Sequence, residues 1–152
     1  MPDDGPITAT SRTPVRDYLA FRWLALVAVG GAVGTALRMA VSAIVPSEGP
    51  FPISVIVVNL SGAFILGWLL EALALRGQDT IARRGIRLGV GTGVLGGYTT
   101  YSAFAVASDG LIDTDNLAVG LVIALPTVIV GVVLASLGAA TARTLQRTGQ
   151  GR

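Results

Sequence analysis

The sequence predicts an all-α membrane protein with four transmembrane helices, the third broken at its centre. Three observations predict it. Apolar runs of roughly 20 residues, the length a spanning helix needs, recur along the chain. Hydrophobic residues make up 52% of the 152 and charged ones only 13%, with a mean hydropathy of +0.70, a balance foreign to soluble domains. The third run carries a glycine pair at its centre, followed by hydroxyls and aromatics.

Composition also excludes function classes. Cysteine and histidine are absent, which removes disulfides, thiolate and imidazole metal sites, and histidine acid–base catalysis. The chain is therefore expected not to be an enzyme. All eleven basic residues are arginines, and all but Arg38 cluster outside the apolar runs. The pI of about 9.7 thus reflects membrane topology rather than nucleic-acid binding.

Residues 1–22 are polar and proline-containing, too poor in apolar surface to order themselves, and are expected to form a disordered cytoplasmic tail. The run that follows is too long for a cleaved signal peptide and lacks a small-residue cleavage site. A four-helix domain is expected over 23–141 and a polar cytoplasmic tail over 142–152.

The first span runs from about Trp23 to Val45 and stops at Pro46. Gly30 and Gly34, four apart, suit close approach of another helix. Arg38 lies within the apolar sequence, where a charge is costly; it either snorkels to the near interface or faces the bundle, and the bundle is preferred. The second span, about Ile53 to Leu75, contains Asn59 and ends near Glu71 and Arg76. A membrane asparagine either glues helices together or offers its NH₂ to a permeating anion. Position alone leaves both open.

After a loop holding Arg83 and Arg84, the third span opens with Gly89, Gly93 and Gly97, another face for close contact. Its break is Gly96-Gly97-Tyr98-Thr99-Thr100-Tyr101-Ser102-Ala103-Phe104. Backbone groups released at membrane depth need partners, so a break persists only where protein buries it or where it lines a polar cavity. The glycines allow the φ values such a turn would need. Thr99, Thr100 and Ser102 add hydroxyls, and the ring edges of Tyr101 and Phe104 could meet an anion. The competing reading is a kink filled by packed aromatics and hydroxyls bonded back to the chain. A second half-helix would run to Leu111. The fourth span, about Leu117 to Thr141, carries Pro126-Thr127 and a small-residue stripe of Gly131, Ala135 and Gly138.

Four spans put both termini on one side. Arg12, Arg16, Arg22, Arg76, Arg83, Arg84, Arg87, Arg143, Arg147 and Arg152 share that side, and no arginine lies opposite. The positive-inside rule then places both termini in the cytoplasm and the chain in the cell membrane.

Three motifs occur in order on the first three spans: Gly30-Gly31-x-x-Gly34-x-x-x-Arg38, Val58-Asn59-x-x-Gly62 and Gly96-Gly97-x-Thr99-Thr100-x-Ser102-x-Phe104. Together they resemble the Fluc (CrcB) family of fluoride channels, over about Trp23 to Thr141. The resemblance implies an antiparallel dimer with two pores and passive, selective export of fluoride. It also implies a structural Na⁺ at the dimer centre, held by the backbone carbonyls of Gly96 and Thr99. By motif position, Asn59, Phe104 and Thr127 match pore-lining residues, Ser102 stands beside them, and Arg38, Gly97 and Thr100 take structural places. Three positions depart from the family pattern: Tyr101 stands where the first pore phenylalanine is usual, Met39 where an aromatic follows the arginine, and Val55 where a hydroxyl precedes the asparagine. A proton-coupled four-helix exporter is the alternative. It would need a membrane-embedded carboxylate, and Glu71, near a helix end, is the only candidate. A non-conducting assembly subunit would need only the glycine stripes.

The arginine asymmetry bears on the partner. Pairing with an inverted copy of itself requires almost no charge bias, whereas this chain has a bias of ten to none. A heterodimer with a homologous subunit of opposite bias is therefore expected.

Overall fold

The computed structural model describes residues 14–45, 53–78, 80–100 and 117–150. The expectations for residues 1–13, for Pro46 and for Tyr101, Ser102 and Phe104 with the half-helix after them lie outside the described residues. The elements are α1 (Pro14–Ile44), α2 (Ile53–Ala74), α3 (Ile81–Ile86), a π-helical segment (Arg87–Val94), α4 (Leu95–Tyr98) and α5 (Leu117–Gln150). From Ile81 to Tyr98 the helical path is continuous, and no strand occurs among the described residues.

Three stretches are long and apolar enough to cross a membrane: Phe21–Ile44, Ile53–Ala74 and Leu125–Thr148. Large side chains along them, such as Val29, Ile65 and Ile129, point outward. Such a surface suits acyl chains, and it means that hydrophobic burial cannot be what joins the helices, because lipid tails are as apolar as leucine. Close packing must do so. α1 lies along the π-helical segment and α4, and α2 lies along α5; contacts between these two pairs are sparser.

Glycine makes both pairs possible. A Cβ on Gly34 would run into the Val94 carbonyl and come within 2.8 Å of the Tyr98 nitrogen, and one on Gly93 would stand 2.9 Å from the Val27 carbonyl oxygen. On the other pair, a Cβ on Gly67 would strike the Ala135 carbonyl, and one on Gly138 the Phe64 carbonyl. The stripe expected on the fourth span is therefore in use at Ala135 and Gly138. A Cβ on Gly131 would meet no described residue within 4 Å.

Helix ends extend past the apolar runs. α1 begins at Pro14 rather than Trp23, a residue whose fixed φ and missing N–H suit a first helical turn. α3 begins at Ile81, so Arg83 and Arg84 are helical rather than in a loop. Thr80 caps it, its hydroxyl accepting from the Arg83 N–H at 3.3 Å. The Arg84 guanidinium sits 5.6 Å from the Trp23 ring centroid, tying this end to α1. α2 unwinds through Gly77, whose φ of 85° is left-handed. The expected polar tail from 142 is helical to Gln150. Two side chains hold it to α2: Arg143 Nε donates to Glu71 Oε1 at 2.8 Å, and Gln146 Nε2 donates to the Leu75 carbonyl at 3.1 Å.

Gly34→Ala or Gly67→Ala should destabilise the fold by about 1–3 kcal/mol through overpacking. Gly131→Ala should be neutral or stabilise by up to about 1 kcal/mol, since alanine is the better helix former. Thermal unfolding of the detergent-solubilised protein checks the contrast, and equal effects at the three positions would refute the packing account.

Candidate functional site

The helical path that begins at Ile81 stops among apolar surroundings, and the site is built around that stop. Its middle is already loosened: the Leu95 N–H donates five residues back, to the Val90 carbonyl, which is the π-helical pattern. α4 restores one turn of α-helix, and Thr99, at φ −78° and ψ 146°, leaves the helix in an extended conformation. The Thr99 N–H still bonds the Leu95 carbonyl at 2.9 Å, and its hydroxyl donates to the same carbonyl at 2.8 Å.

Thr100 shows why the helix ends there. Its N–H, which would close the next turn onto the Gly96 carbonyl, donates instead to Asn59 Oδ1 at 2.7 Å. Asn59 Nδ2 in turn donates to the Thr100 carbonyl at 2.9 Å. The carboxamide thus pairs with both backbone groups of one residue, as a neighbouring strand would, and this pairing fixes which end of the amide is oxygen. Both residues are buried, so the two bonds satisfy backbone groups that water cannot reach. The helix-glue reading of Asn59 accordingly has a specific partner, a backbone 41 residues away. Nδ2 carries a second hydrogen beyond the one given to Thr100.

Gly62 lets Thr99 come this close: a Cβ there would meet the Thr99 methyl group. Ser54, Val58 and Gly62 recur every four residues along the buried face of α2 that also presents Asn59. Sequence reasoning passed over one contact, the Ser61 hydroxyl lying 3.1 Å from that of Tyr98. Both residues stand inside motifs already singled out, but nothing in their spacing pairs them.

The glycines behave differently from expectation. Gly96 and Gly97 lie in α4, and Gly77 is the positive-φ glycine among the described residues, so neither supplies a left-handed turn. Gly97 is needed because a Cβ would strike the Gly31 carbonyl of α1, whereas a Cβ on Gly96 would meet no described residue within 4 Å. The structure therefore gathers Asn59, Gly96, Gly97, Thr99 and Thr100 at one helix end. Thr127 lies half-buried on α5, next to Pro126, and Arg38 half-buried near the end of α1.

Chemically, this end offers a carbonyl whose helical partner has been turned aside, an extended residue whose carbonyl lies beyond the ladder, and several hydroxyls. The residues gathered there carry no ionisable side chain. Among the described residues no group of acidic, cysteine or histidine side chains could hold a metal. A cation here would meet backbone oxygen, and an anion N–H and O–H donors.

Residues 25–139 match the family described as CrcB-like protein, Camphor Resistance (CrcB). The chain is 53% identical over 114 residues to the fluoride-specific ion channel FluC 2 of Leifsonia xyli subsp. xyli, covering 75% of this chain and 79% of that one. It is 40% identical over 111 residues to the fluoride-specific ion channel FluC 1 of Cutibacterium acnes, with 72% and 78% covered. With the fluoride-specific ion channel FluC of Agrobacterium fabrum it shares 36% over 124 residues, with 80% and 97% covered.

Asn59→Ala removes the two bonds that its carboxamide makes to the Thr100 backbone and should destabilise the protein by about 1–3 kcal/mol. Asn59→Asp keeps the acceptor for the Thr100 N–H but loses the donor and buries a charge, so it should also destabilise. Unfolding midpoints indistinguishable from wild type in both variants would mean that the pairing does not hold the helix end.

Proposed function

The chain belongs to the CrcB family, and from that premise we propose that it is a fluoride-specific ion channel, not an enzyme, giving passive export of fluoride across the cell membrane. The observation that carries this reading is the Asn59–Thr100 pairing. It sets the asparagine of the second-span motif against Thr100 of the third-span motif, where the described helical path ends. Fluoride is small and strongly hydrated, so a dry pore must replace water's hydrogen bonds with donors of its own. The second Nδ2 hydrogen of Asn59 is one such donor. Ser102, Thr127 and the edges of Tyr101 and Phe104 complete the proposed lining.

The family's implied Na⁺ suits the residues present. Because the Thr100 N–H is bound to Asn59, the Gly96 carbonyl lacks the donor an unbroken helix would give it, and no described residue would meet a Cβ on Gly96 within 4 Å. The Gly96 and Thr99 carbonyls would hold the ion, whose charge would compensate oxygens at a helix end within the membrane. Arg38, Gly97 and Thr100 keep structural roles in this reading.

The third span is proposed to resume as a second half-helix beyond the break, and two chains to pair antiparallel. The arginine asymmetry supports one fixed orientation, both termini cytoplasmic, and hence a homologous partner of opposite topology. With Tyr101 in place of the usual phenylalanine, the pore it lines is proposed to be altered or silent. The exporter alternative loses its proton carrier, because Glu71 is paired with Arg143.

Proteoliposomes holding the assembled protein should release fluoride and retain chloride, and replacing Na⁺ by a large organic cation should lower both assembly and flux. Absence of fluoride release from every assembled form, with or without a related subunit, would overturn the channel assignment. Unchanged assembly and flux without Na⁺ would remove the ion from the reading.

Expressed alone with a C-terminal topology reporter, the chain should show a single orientation, with fluoride resistance restored only when a second related gene is supplied. A mixed population that confers resistance by itself would establish a homodimer instead.

A further inference from the structure

The ends of α2 and α5 meet in a groove that the helix-end site does not use. Its mouth, about 320 Å³, is lined by Leu75, Arg143, Gln146 and Arg147. An adjoining slot of about 230 Å³ is lined by Trp68, Ala72, Arg76, Ala142, Leu145 and Gln146. Gln146 is common to both and is fixed there by its bond to the Leu75 carbonyl. Three arginines therefore line the groove, and among the described residues the one carboxylate paired with them is Glu71, on Arg143. That carboxylate takes only Nε of Arg143, leaving the Nη groups of the arginine for another acceptor. Apolar side chains line the slot beside these polar groups, and two of them reach outward: Trp68 is 39% and Leu145 60% exposed. Trp68 lies eight residues back from Arg76, about 12 Å down a helix at 1.5 Å per residue.

We propose that this groove binds an anionic phospholipid, its phosphate at the arginines and one acyl chain along Trp68, Ala72 and Leu145. Charge complementarity selects the occupant. A zwitterionic lipid would bring its own cation to a mouth already positive, whereas an anionic headgroup brings uncompensated charge, and guanidinium binds phosphate oxygens in a two-pronged fashion. Basic recesses between helices at one membrane face are where such headgroups bind. An ordinary positive-inside surface would offer arginines without a slot in which Trp68, Ala72 and Leu145 stand beside them. The inference stands whether or not the chain conducts fluoride.

The test titrates phosphatidylglycerol into the full-length protein in phosphatidylcholine mixed micelles. Retained lipid is counted by native mass spectrometry, and thermal unfolding is followed in parallel. Phosphatidylglycerol should be retained and raise the unfolding midpoint while phosphatidylcholine is lost. Arg76→Gln and Arg147→Gln should each weaken retention about fivefold, the effect of one arginine near an anionic headgroup. Arg83→Gln, a cation on α3 outside the groove, should change nothing. If a glutamine variant fails to assemble, Arg147→Lys tests the same point, since it keeps the charge but loses the fork and should retain the lipid less well than wild type. Equal retention of phosphatidylcholine, an equal loss in Arg83→Gln, full retention in Arg147→Lys, or the same stabilisation by inorganic phosphate alone would each overturn the proposal.

Discussion

Two hydrogen bonds between the Asn59 carboxamide and the backbone of Thr100 govern the rest of this architecture. A helix inside a membrane ends only if something else takes over its backbone groups, and here one side chain does so for both groups of one residue. Thr99 can then turn extended. With the Thr100 N–H drawn to α2, the Gly96 carbonyl does not receive the N–H that would continue the α-helical ladder. A side chain that looks like a pore ligand in the sequence is thus first a structural clamp, and any role toward an ion is played from the clamped position. The two roles are compatible because the amide keeps a hydrogen and a lone pair beyond those the clamp uses.

That clamp works only because the helices come closer than ordinary side chains allow. Gly62 makes room for the Thr99 methyl, and Gly97 lies against the Gly31 carbonyl. In lipid no hydrophobic force draws helices together, so contact distance decides association. Each pair, α1 with the path through Arg87–Val94 and α2 with α5, is seated this way on backbone rather than on side chains. The sparser contact between the pairs is where Asn59 reaches Thr100. Polar pairing thus supplies at that seam what close packing supplies elsewhere.

Much of this architecture is legible in the amino-acid sequence. The spans around Val33, Ile65 and Val133 follow from the lengths of the apolar runs, and Gly30, Gly34 and Gly138 announce close approach by their spacing. The extent of the helices is not legible, because Pro14 and Gln150 stand in polar sequence where continuity of the ladder, not hydropathy, decides. Gly96-Gly97 is legible as a special place but for the wrong physical reason: a pair of glycines suggests unusual φ, whereas the fold uses Gly97 for proximity and turns the chain at Thr99. The Asn59–Thr100 partnership joins residues 41 apart, and no local pattern carries a register between two helices. The contact of Ser61 with Tyr98 is hidden for the same reason.

The π-helical segment gives the architecture slack along its length. Its turns hold one more residue than α-helical turns between bonded groups, the geometry that results when a single residue is inserted into an α-helix. Here the extra winding spans the contacts of Gly89 with Leu26 and of Gly93 with Val27 and Gly30, and ends ahead of the contact of Gly97 with Gly31. A relative one residue shorter between Arg87 and Val94 could tighten to ordinary α winding while Gly97 and the extended Thr99 keep their places. Length variation among related chains can thus be absorbed in this segment, upstream of the clamped helix end, without shifting the register of the residues that follow.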